Sequence, residues 1–554
     1  MLHAVLINGS FQDSVTLMLV SRDLSALPQV NRVSVMMGTP ANKDVFRETG
    51  MWHAALAAAT PNDLCIVVDS ENGDPQVAGA MAEQVKSRLA ELARGGRKAA
   101  YPLARSWRRA RELLPSANIA LISLAGHYVY EPARQALSDG CHVMIFSDNV
   151  SLEHELALKT LARDKGLLMM GPDCGTAIIN KAPLAFANRI PAGAIAVVGA
   201  SGTGLQEVTS QIARLGGGIT HAIGLGGRDL SERIGGISAL TALDMVARDA
   251  ASRVITFVSK PPAAAVKERI LKALNDIGKP VVALFVGERV VQRNVGNVHF
   301  TQTLDETAAL AVELACIDAH LATLPSVANT RICGLYCGGT LAAEAAFLLA
   351  EHLGVKADAA HVDGFMLHEG GHRIIDLGDD RYTRGRPHPM IDPAARNEMI
   401  ARLAEDPAVG VLLLDIVLGY GGHADPAGEV AQAVAELRAA RGEQAPIVVI
   451  ATLTGTADDP QDRAGQASKL EEAGILIAES VRSALLLAGR AIAAPAARAG
   501  APSALLSSAP AIINIGLRGF ADDLLANGVS VVHEQWEPAA SGNARMASLL
   551  AQLN

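Results

Sequence analysis

Two stretches of this chain repeat one pattern, a strand-like run that passes through small residues into a helix. The first is IAVVGASGTGLQEV, residues 195–208, and the second is ICGLYCGGTLAAEA, residues 332–345. Strands that feed helices through short glycine turns are typical of parallel α/β sheets. The repeat predicts two consecutive domains of the same small α/β class, packed as a pseudo-dimer. The matched positions are Gly202 with Gly339, Thr203 with Thr340, and Glu207 with Glu344.

Strand-like runs and helical stretches alternate along nearly the whole chain, which predicts parallel sheets with helices on both faces. We expect a multi-domain α/β protein in which a Rossmann-like domain precedes two flavodoxin-like domains. Residues 76–112 are rich in Ala, Arg, Lys and Glu and predict one long helical region, while the Ala/Pro/Ser-rich residues 490–510 indicate a linker. The predicted segments are an N-terminal α/β domain at 1–112, the Rossmann-like domain at 113–190, flavodoxin-like domains at 191–325 and 330–490, and a small C-terminal βαβ element at 505–554.

The charge balance excludes a general nucleic-acid binder. The 554 residues contain 48 Lys plus Arg and 57 Asp plus Glu, a formal net charge of −9, whereas nucleic-acid binding requires a basic face. Hydrophobic residues make up 50% of the chain but lie in strand-sized runs, so we expect no membrane span. No export signal is visible, which predicts a cytoplasmic protein. The six cysteines are scattered without zinc-ligand spacing, so we expect neither a disulfide framework nor a metal site.

The two repeated turns are candidate anion sites. A helix that begins in a glycine turn directs backbone N–H groups and the positive end of its dipole at one spot, which favours phosphate or carboxylate. The alternative is that the glycines only allow the helix and strand to pack closely. Neither turn has the Gly-Lys-Ser/Thr of a Walker A loop or the spacing of the dinucleotide fingerprint. The candidate residues are Ser201, Gly202, Thr203, Gly204 and Glu207 at the first turn, and Gly338, Gly339, Thr340 and Glu344 at the second.

Two loops supply candidate catalytic side chains. Residues 385–393 contain three prolines, which stiffen a loop that presents Arg386, His388 and Asp392. Arginine suits bidentate binding of carboxylate or phosphate, and histidine suits proton transfer. Arg228, within the segment GLGGRDL, occupies the equivalent loop of the preceding domain. The alternatives are a rigid turn in which Asp392 caps the next helix, and an Arg–Asp pair that only fixes a loop.

Two further residues were weighed as candidates. Cys174 follows a strand in the segment MGPDCGT, but nothing in the sequence places a base beside it to activate the thiol. His423 follows a strand in the segment GGHAD, where a plain surface histidine is the alternative.

Together these motifs make the chain resemble the FdrA family, which is related to succinyl-CoA synthetase and other acyl-CoA synthetases. In the synthetases a CoA-binding Rossmann domain ends in a Gly-Pro-Asn-Cys-Pro-Gly-like turn, here residues 171–175, and two ligase domains follow. The resemblance implies that 113–190 is CoA-binding-like and that both repeated helices bind phosphate at their N-termini. The synthetase-like part covers residues 116–490. The FdrA-type likeness spans essentially the whole chain and rests on the segments FQDSVTLM, SVMMGTPANK, MGPDCGT, GASGTG, GLGGRDL, GGTLAAEA and GRPHPMIDP.

Two departures separate the chain from a complete synthetase. The synthetases place a phosphorylated histidine in a Gly-His-Ala-Gly segment, where this chain reads VALFVGERVVQRNVGNVHF. His299 lies further on and has no flanking glycines. The synthetases also need an ATP-grasp domain, for which the two ligase-like units leave no room. We therefore assign no cofactor. CoA is the one candidate, and both departures argue against it.

The FdrA resemblance implies a subunit of a multi-component carbamoyltransferase in anaerobic allantoin and purine breakdown. With two companion subunits it would act on oxalurate or oxamate, phosphate and carbamoyl phosphate. In this hypothesis a helix N-terminus holds phosphate, Arg386 or Arg228 binds a carboxylate or developing charge, and His388 transfers a proton. Two alternatives stay open: an acyl-CoA synthetase or CoA transferase, which requires CoA binding near residues 116–175, and a non-catalytic assembly subunit.

Overall fold

The structure is a computed structural model in which four β-sheets make up the frame of the described chain. One sheet is antiparallel and three are largely parallel. Within the described ranges, every helix is too short or too polar to cross a membrane. The description covers residues 2–538 apart from residues 11, 13, 27–29, 71–74, 96–99, 323–328, 356–362, 444 and 493–500.

The N-terminal domain is a three-stranded antiparallel sheet in the order β1-β3-β2. Alternate residues of β2, namely Val33, Val35 and Met37, are buried with the apolar side of α1. The single long helix expected at 76–112 is wrong, because α3 ends at Gly95 and a second helix begins only after Ser106. The elements are β1 (Leu2–Ile7), α1 (Ser14–Ser25), β2 (Val30–Met37), α2 (Pro40–Glu48), β3 (Leu64–Ser70) and α3 (Pro75–Gly95).

The first helix of the second unit has a serine N-cap. The hydroxyl of Ser106 accepts a hydrogen bond from the Arg109 amide at 3.3 Å, which is the usual role of a serine N-cap. The strands that follow are fully buried, as expected where helices cover both faces of a parallel sheet. The elements are β4 (Leu103–Ala104), α4 (Trp107–Leu113), β5 (Ile119–Ile122), α5 (Tyr130–Ser138), β6 (His142–Ile145), α6 (Leu152–Asp164) and β7 (Met169–Met170).

The third unit is an open sheet with β10 at its centre. The parallel strands have the order β11-β10-β12-β13-β15, which is the flavodoxin-like order 2-1-3-4-5. The elements are β8 (Thr176–Ile179), β9 (Ala182–Ala185), β10 (Ala192–Gly199), α7 (Gly202–Arg214), β11 (Ile219–Gly224), α8 (Ile237–Arg248), β12 (Val254–Ser259), α9 (Ala264–Asn275), β13 (Val281–Phe285), β14 (Asn294–Val295), β15 (Val298–Thr301) and α10 (Leu304–Leu321).

The fourth unit repeats this architecture. Its parallel strands have the order β18-β16-β19-β20-β21, again 2-1-3-4-5, so the prediction of two flavodoxin-like domains is confirmed. The elements are β16 (Arg331–Tyr336), α11 (Gly339–Leu353), β17 (Phe365–Glu369), β18 (His372–Asp376), α12 (Asp380–Thr383), α13 (Ala394–Arg402), β19 (Val409–Val417), α14 (Pro426–Arg441), β20 (Val448–Thr454), α15 (Arg463–Glu472), β21 (Leu476–Ala478) and α16 (Val481–Ile492).

The C-terminal segment returns to the second unit and completes its sheet. Instead of the separate element expected at 505–554, its described strands pair in parallel with β5 and β4. The sheet order is β4-β23-β22-β5-β6-β7. Counted from β22, this is the Rossmann order 3-2-1-4-5-6, with its first two strands supplied by the far end of the chain. The elements are α17 (Ala504–Ser507), β22 (Ala511–Ile515), α18 (Arg518–Ala526) and β23 (Ser530–Glu534).

The two flavodoxin-like domains pack against each other through α10 and α16. Leu486 of α16 lies against the hydrophobic core of the first of these domains. At the edges of this contact, the hydroxyl of Ser483 donates to Glu313 at 2.5 Å and Arg490 pairs with Asp318 at 3.2 Å. Apolar packing with polar contacts at its rim therefore fixes how the two domains sit together.

Candidate functional site

The first repeated turn lies where the strand order of its sheet reverses. β10 has β11 on one side and β12 on the other, and open α/β sheets bind ligands at such a point. Ser201 caps α7, because its hydroxyl accepts a hydrogen bond from the Gly204 amide at 3.2 Å. Thr203 in the first turn of the helix is exposed. The start of α7 therefore combines two hydroxyl groups with the positive end of a helix dipole.

A cavity of about 570 Å³ opens in front of this turn. Four hydroxyl-bearing residues line it, together with one cation, Lys260, and one acid, Asp173, among the described lining residues. A helix N-terminus with hydroxyl donors and a lysine is the arrangement that proteins use for phosphate. The cavity is therefore the strongest anion site among the predicted ones. The four hydroxyl-bearing residues are Thr176, Ser201, Thr203 and Ser231.

The second repeated turn has a different environment, because the carboxylate of Asp415 binds it from inside. Asp415 is fully buried on β19 and accepts the amide hydrogens of Cys337 and Gly338, both at 2.7 Å. Arg396 lies 3.8 Å from the same carboxylate and donates to the Asp415 carbonyl at 2.7 Å. Burial raises the pKa of Asp415, while Arg396 and the two amides oppose that shift. The chain's own carboxylate therefore takes amides that an external anion would need.

A second carboxylate, that of Asp376, lies beside the same turn. A Cβ on Gly339 would be 2.7 Å from Asp376 Oδ2, so this acid lies directly beside the start of α11. In the first domain, the strand register places Gly224 and Val258 beside Gly199, at the positions equivalent to Asp376 and Asp415. The two turns thus share glycines and threonine but differ by two carboxylates, which oppose the predicted phosphate role of 338–340.

The proline-rich loop places its histidine beside the second turn. A Cβ on Gly378 would lie 2.9 Å from His388 Nε2 and 3.1 Å from Asp376 Oδ1, so the imidazole and the carboxylate converge there. Arg386 instead pairs with Glu398 on α13 at 3.1 Å, and both side chains are about half exposed. In the same loop, the carboxylate of Asp392 accepts the Ala394 amide at 3.0 Å, which is the capping alternative. Of the predicted residues here, only His388 lies next to a repeated turn.

Arg228 belongs to a buried ion cluster that joins the Rossmann-like domain to the first flavodoxin-like domain. It pairs with Glu155 of α6 at 2.8 Å and donates to the Val150 carbonyl at 2.7 Å. Glu155 is also 3.2 Å from Lys159, which pairs with Asp229 at 2.7 Å. Glu155, Lys159 and Asp229 are completely buried. The contacts with Glu155 and Val150 therefore give Arg228 a role in joining the two domains.

The remaining candidates lie away from the cavity or are inactivated by burial. Glu207 accepts hydrogen bonds from Gln211 at 2.6 Å and Arg214 at 3.3 Å, and the Gln211 bond lowers the pKa of Glu207. Glu344 is exposed on α11. Burial raises the pKa of Cys174 to about 12, which leaves the thiol protonated and a poor nucleophile. The backbone amide of Asp425 donates to His423 Nδ1 at 3.2 Å, which holds that ring at the start of a helix.

His299 lies at the interface between the two flavodoxin-like domains. Its ring nitrogen Nδ1 is 2.7 Å from Asn294 Oδ1 on the neighbouring strand. It lines a separate cavity of about 260 Å³ with Phe347 and His352. Burial lowers the pKa of His299 to about 4, so the ring is neutral at pH 7. Its position in that second cavity separates it from the start of α7.

A further cavity, of about 530 Å³, was missed by the sequence analysis. It lies between the N-terminal domain and the carboxyl ends of β5, β22 and β23. Buried Glu534 lines it, together with Gly516 and the segment 123–127. The sequence hid this site because β22 and β23 are separated from β5 by almost four hundred residues. The available signal was the glycine turn at 516 followed by an acid at the end of the next strand.

Comparison with known proteins gives a separate family match for each of three parts of the chain. Three family models match the chain: an AllF heavy metal-associated domain at residues 1–102, a CoA-binding domain at 192–287 and a CoA-ligase domain at 335–491. The CoA-binding model thus covers β10, α7 and most of the residues that line the cavity in front of them, whereas the resemblance had implied CoA binding at 113–190. The fold and these matches define a CoA-ligase-type protein with a CoA-binding domain and an AllF-related N-terminal domain.

The relatives give the family. The uncharacterized protein YahF of Escherichia coli strain K12 is 39% identical over 505 residues, which is 87% of this chain and 96% of YahF. The chain belongs to the same succinyl-CoA synthetase-like FdrA family as YahF. Among solved structures, the dinucleotide-forming acetyl-coenzyme A synthetase 1 of Ca. Korarchaeum cryptofilum is 14% identical, covers 68% of this chain and 83% of its own, and has a TM-score of 0.42. For ATP citrate lyase from Methanothrix soehngenii these values are 15%, 55%, 57% and 0.33.

The carbamoyltransferase activity expected from the resemblance is wrong. The matched family models are a CoA-ligase domain and a CoA-binding domain, which place the chain in the ligase class and not among one-carbon transferases. Arg228 and Arg386, the predicted binders of the carbamoyl substrate, pair with Glu155 and Glu398 in the structure. The companion subunits stay a prediction.

The description of the N-terminal family model implies a heavy metal, and the residues present do not fit one. Cys65 is the only cysteine in the first 102 residues, so a pair of thiolates is missing. Burial raises the pKa of Cys65 to about 11, which disfavours the thiolate that binds metal. The described residues contain no group of three or more His, Cys, Asp or Glu placed to hold an ion. No step is assigned to a metal.

Proposed function

We propose that this chain is the acyl-transfer component of an acyl-CoA ligase. The cavity at the start of α7 would hold an acyl phosphate for reaction with CoA. The supporting observation is that Ser201, Thr203 and Lys260 surround one cavity inside the segment that matches a CoA-binding domain. Helix dipole, hydroxyl groups and ammonium all favour the phosphate end of such a substrate.

The chemistry needs little more than positioning and charge stabilisation. The CoA sulfur attacks the acyl carbon, a C–S bond forms, and the C–O bond to phosphate breaks. The thiol proton ends on the phosphate or in solvent, and the departing phosphate takes the bonding electrons. The α7 N-terminus and Lys260 stabilise the charge that grows on this leaving group, an effect that typically amounts to about 100-fold or more in rate.

The substrate would arrive already activated. The sheets of the described chain comprise the small N-terminal sheet, the Rossmann-like sheet and two flavodoxin-like sheets, and none of these is an ATP-grasp domain. Among the described residues that line the α7 cavity, none is a histidine that could relay phosphate. We therefore assign ATP use to a partner chain, which would deliver the acyl phosphate. The second flavodoxin-like domain supports the first without binding phosphate, because Asp376 and Asp415 surround its turn.

The test uses the full-length chain, CoA and a panel of acyl phosphates (acetyl, propionyl and succinyl phosphate), with acyl-CoA detected by mass spectrometry. We expect acyl-CoA above the protein-free rate with at least one of them. Thr203→Val should lower that rate at least tenfold, and Thr340→Val, the same change at the equivalent position, should leave it unchanged. Rates that equal the protein-free control across the panel, or equal losses in both variants, would overturn the proposal and favour the assembly-subunit alternative.

A further inference from the structure

The Rossmann-like sheet has its own switch point, which the proposed reaction does not use. In the order 3-2-1-4-5-6 the crevice lies between the first and fourth strands, here β22 and β5. The cavity of about 530 Å³ occupies this place, lined by Gly516 after β22, by the segment 123–127 after β5 and by Glu534 at the end of β23. The cavity thus lies at the position where Rossmann sheets bind their ligands, in a sheet assembled from residues 103–170 and 511–534.

The turn after β22 is built for close approach. Gly516 has φ +116°, and a Cβ there would lie 2.6 Å from the backbone oxygen of Ser123. The Ser123 hydroxyl accepts the Leu517 amide at 2.7 Å, which ties the two switch-point loops together. α18 begins at Arg518 without a side-chain cap, and the start of α2, at Thr39 and Pro40, lines the opposite wall. The helix start at Thr39 and Pro40 suits a short phosphate group.

Glu534 is the residue that identifies a ligand. Its side chain is only 6% exposed, it lines the cavity, and its Oε2 has no hydrogen-bond partner among the described residues. The other interaction of the carboxyl is with the Trp107 backbone N–H. Leaving such a buried oxygen unpaired is unfavourable, and a donor from a bound ligand would relieve that cost.

The position of Glu534 specifies the donor. It stands 18 residues after Gly516 (534 − 516 = 18), at the end of the second strand of the sheet. In Rossmann sites, an acid about 20 residues after the glycine turn binds the ribose hydroxyls of adenosine. Trp536, two residues on, also lines the cavity and gives a purine an aromatic surface.

The residues that line the cavity disfavour a phosphate on the 2′- or 3′-oxygen of the ribose. The titratable lining residues that face it are Asp148, Glu534, Glu537, His127 and His533, and the described lining contains neither lysine nor arginine. A 2′- or 3′-phosphate beside Glu534 would replace the hydroxyl that donates to this carboxyl, and its charge would find no lysine or arginine in the described lining to offset it. This disfavours CoA and NADP⁺, which have such a phosphate.

We propose that this crevice binds an adenosine nucleotide whose ribose has both hydroxyls free, with Glu534 as the acceptor of the diol. The site is separate from the acyl phosphate cavity and is independent of the proposed reaction. AMP and NAD⁺ have the required chemistry and differ in whether a second nucleoside follows the phosphate.

Titration calorimetry of the full-length chain tests the proposal with AMP, NAD⁺, dephospho-CoA and CoA. We expect binding of AMP or NAD⁺, with the tighter of the two identifying the ligand type. Dephospho-CoA should displace it at least tenfold more effectively than CoA. Glu534→Gln should weaken binding at least tenfold, whereas Asp523→Asn, which changes an exposed acid of α18 that is not among the described lining residues, should leave it unchanged.

Three outcomes would overturn the proposal: no binding of any of these adenosine compounds, equal displacement by CoA and dephospho-CoA, or full affinity in Glu534→Gln with native circular dichroism. Thr203→Val separates this proposal from the proposed function. That variant should keep nucleotide binding here even though acyl transfer at α7 falls at least tenfold. A failure of either proposal is therefore distinguishable from a failure of the other.

Discussion

The carboxylate of Asp415 accepts the amide hydrogen of Gly338 at 2.7 Å, at the turn where the second flavodoxin-like domain would otherwise bind an anion. The first domain has Val258 at the equivalent strand position, and its turn opens into a cavity with Lys260. Two turns with the same glycine and threonine pattern have therefore acquired opposite electrostatics. One is organised around an internal carboxylate, and the other is available to an external phosphate.

Asp415→Ala should destabilise the chain by about 3–5 kcal/mol, because it leaves Arg396 buried without its carboxylate and frees two buried amides. Chemical denaturation with urea measures the change. Asp392→Ala is the control, since Asp392 caps an exposed helix start and its loss should amount to about 1 kcal/mol. A loss below about 1 kcal/mol for Asp415→Ala would contradict this account of the turn.

Arg228→Met should lower the stability of the folded chain. Among the described residues, the substitution leaves the fully buried Glu155 with Lys159 as its one ion-pair partner. Because Arg228 is itself 45% exposed, we expect a moderate loss of about 2 kcal/mol. Thermal and urea unfolding measure it. Arg233→Met breaks an exposed pair with Glu153 and should change stability by less than about 0.5 kcal/mol. If the two variants were equally stable, the domain-joining role of Arg228 would be wrong.

Stability should depend on the ionisation of Glu534. Burial raises the pKa of this carboxyl from an ordinary 4.5 to about 7. Between these values the folded chain keeps a proton that the unfolded chain releases, so the free energy of unfolding falls as pH rises through this window, by about 3 kcal/mol in total. Glu534→Gln removes the effect. Urea unfolding at pH 4.5 and pH 8 measures the difference in unfolding free energy between the variant and the parent chain. This difference should shift in favour of the variant by about that amount from pH 4.5 to pH 8, and an unchanged difference would refute the assignment.

Gly516→Ala should lower the free energy of unfolding, whereas Gly519→Ala should not. At Gly516 the backbone has φ +116° and a Cβ would collide with Ser123, so we expect a loss of at least about 2 kcal/mol. Gly519 lies in α18 with open space around it, so alanine there should be neutral or stabilising by up to about 1 kcal/mol. Thermal unfolding compares the two. A harmless Gly516→Ala would show that the crevice turn is less tightly built than the structure indicates.

The repeat predicted the fold well because it reports local physics. A strand, a glycine turn and a helix in that order leave few ways to build a sheet, and both flavodoxin-like domains have the predicted class. The partnership of β22 with β5 was beyond sequence pattern, since every parallel strand offers the same backbone edge to any other. Only the folded chain shows which edges meet, and with them the crevice around Glu534.

The site was harder to predict than the fold because charged residues on one strand or helix affect residues on another that is distant in the sequence. Asp415 was visible as one acid within the apolar run VLLLDIVL, yet its effect on Gly338 depends on the register between β16 and β19. Arg228 and Arg386 looked available for substrate until the structure supplied Glu155 and Glu398 as partners. The sequence shows the residue types, but only the folded chain shows which of them have partners from distant segments.

The most direct test of the central claim is calorimetric titration of inorganic phosphate into the full-length chain and its two matched variants. The account predicts phosphate binding that Thr203→Val weakens at least tenfold and that Thr340→Val leaves intact, because only the first turn faces a cavity with Lys260. It also predicts that saturating AMP leaves this binding unchanged. Equal weakening by both variants, or no phosphate binding by the parent chain, would contradict the assignment of the α7 cavity.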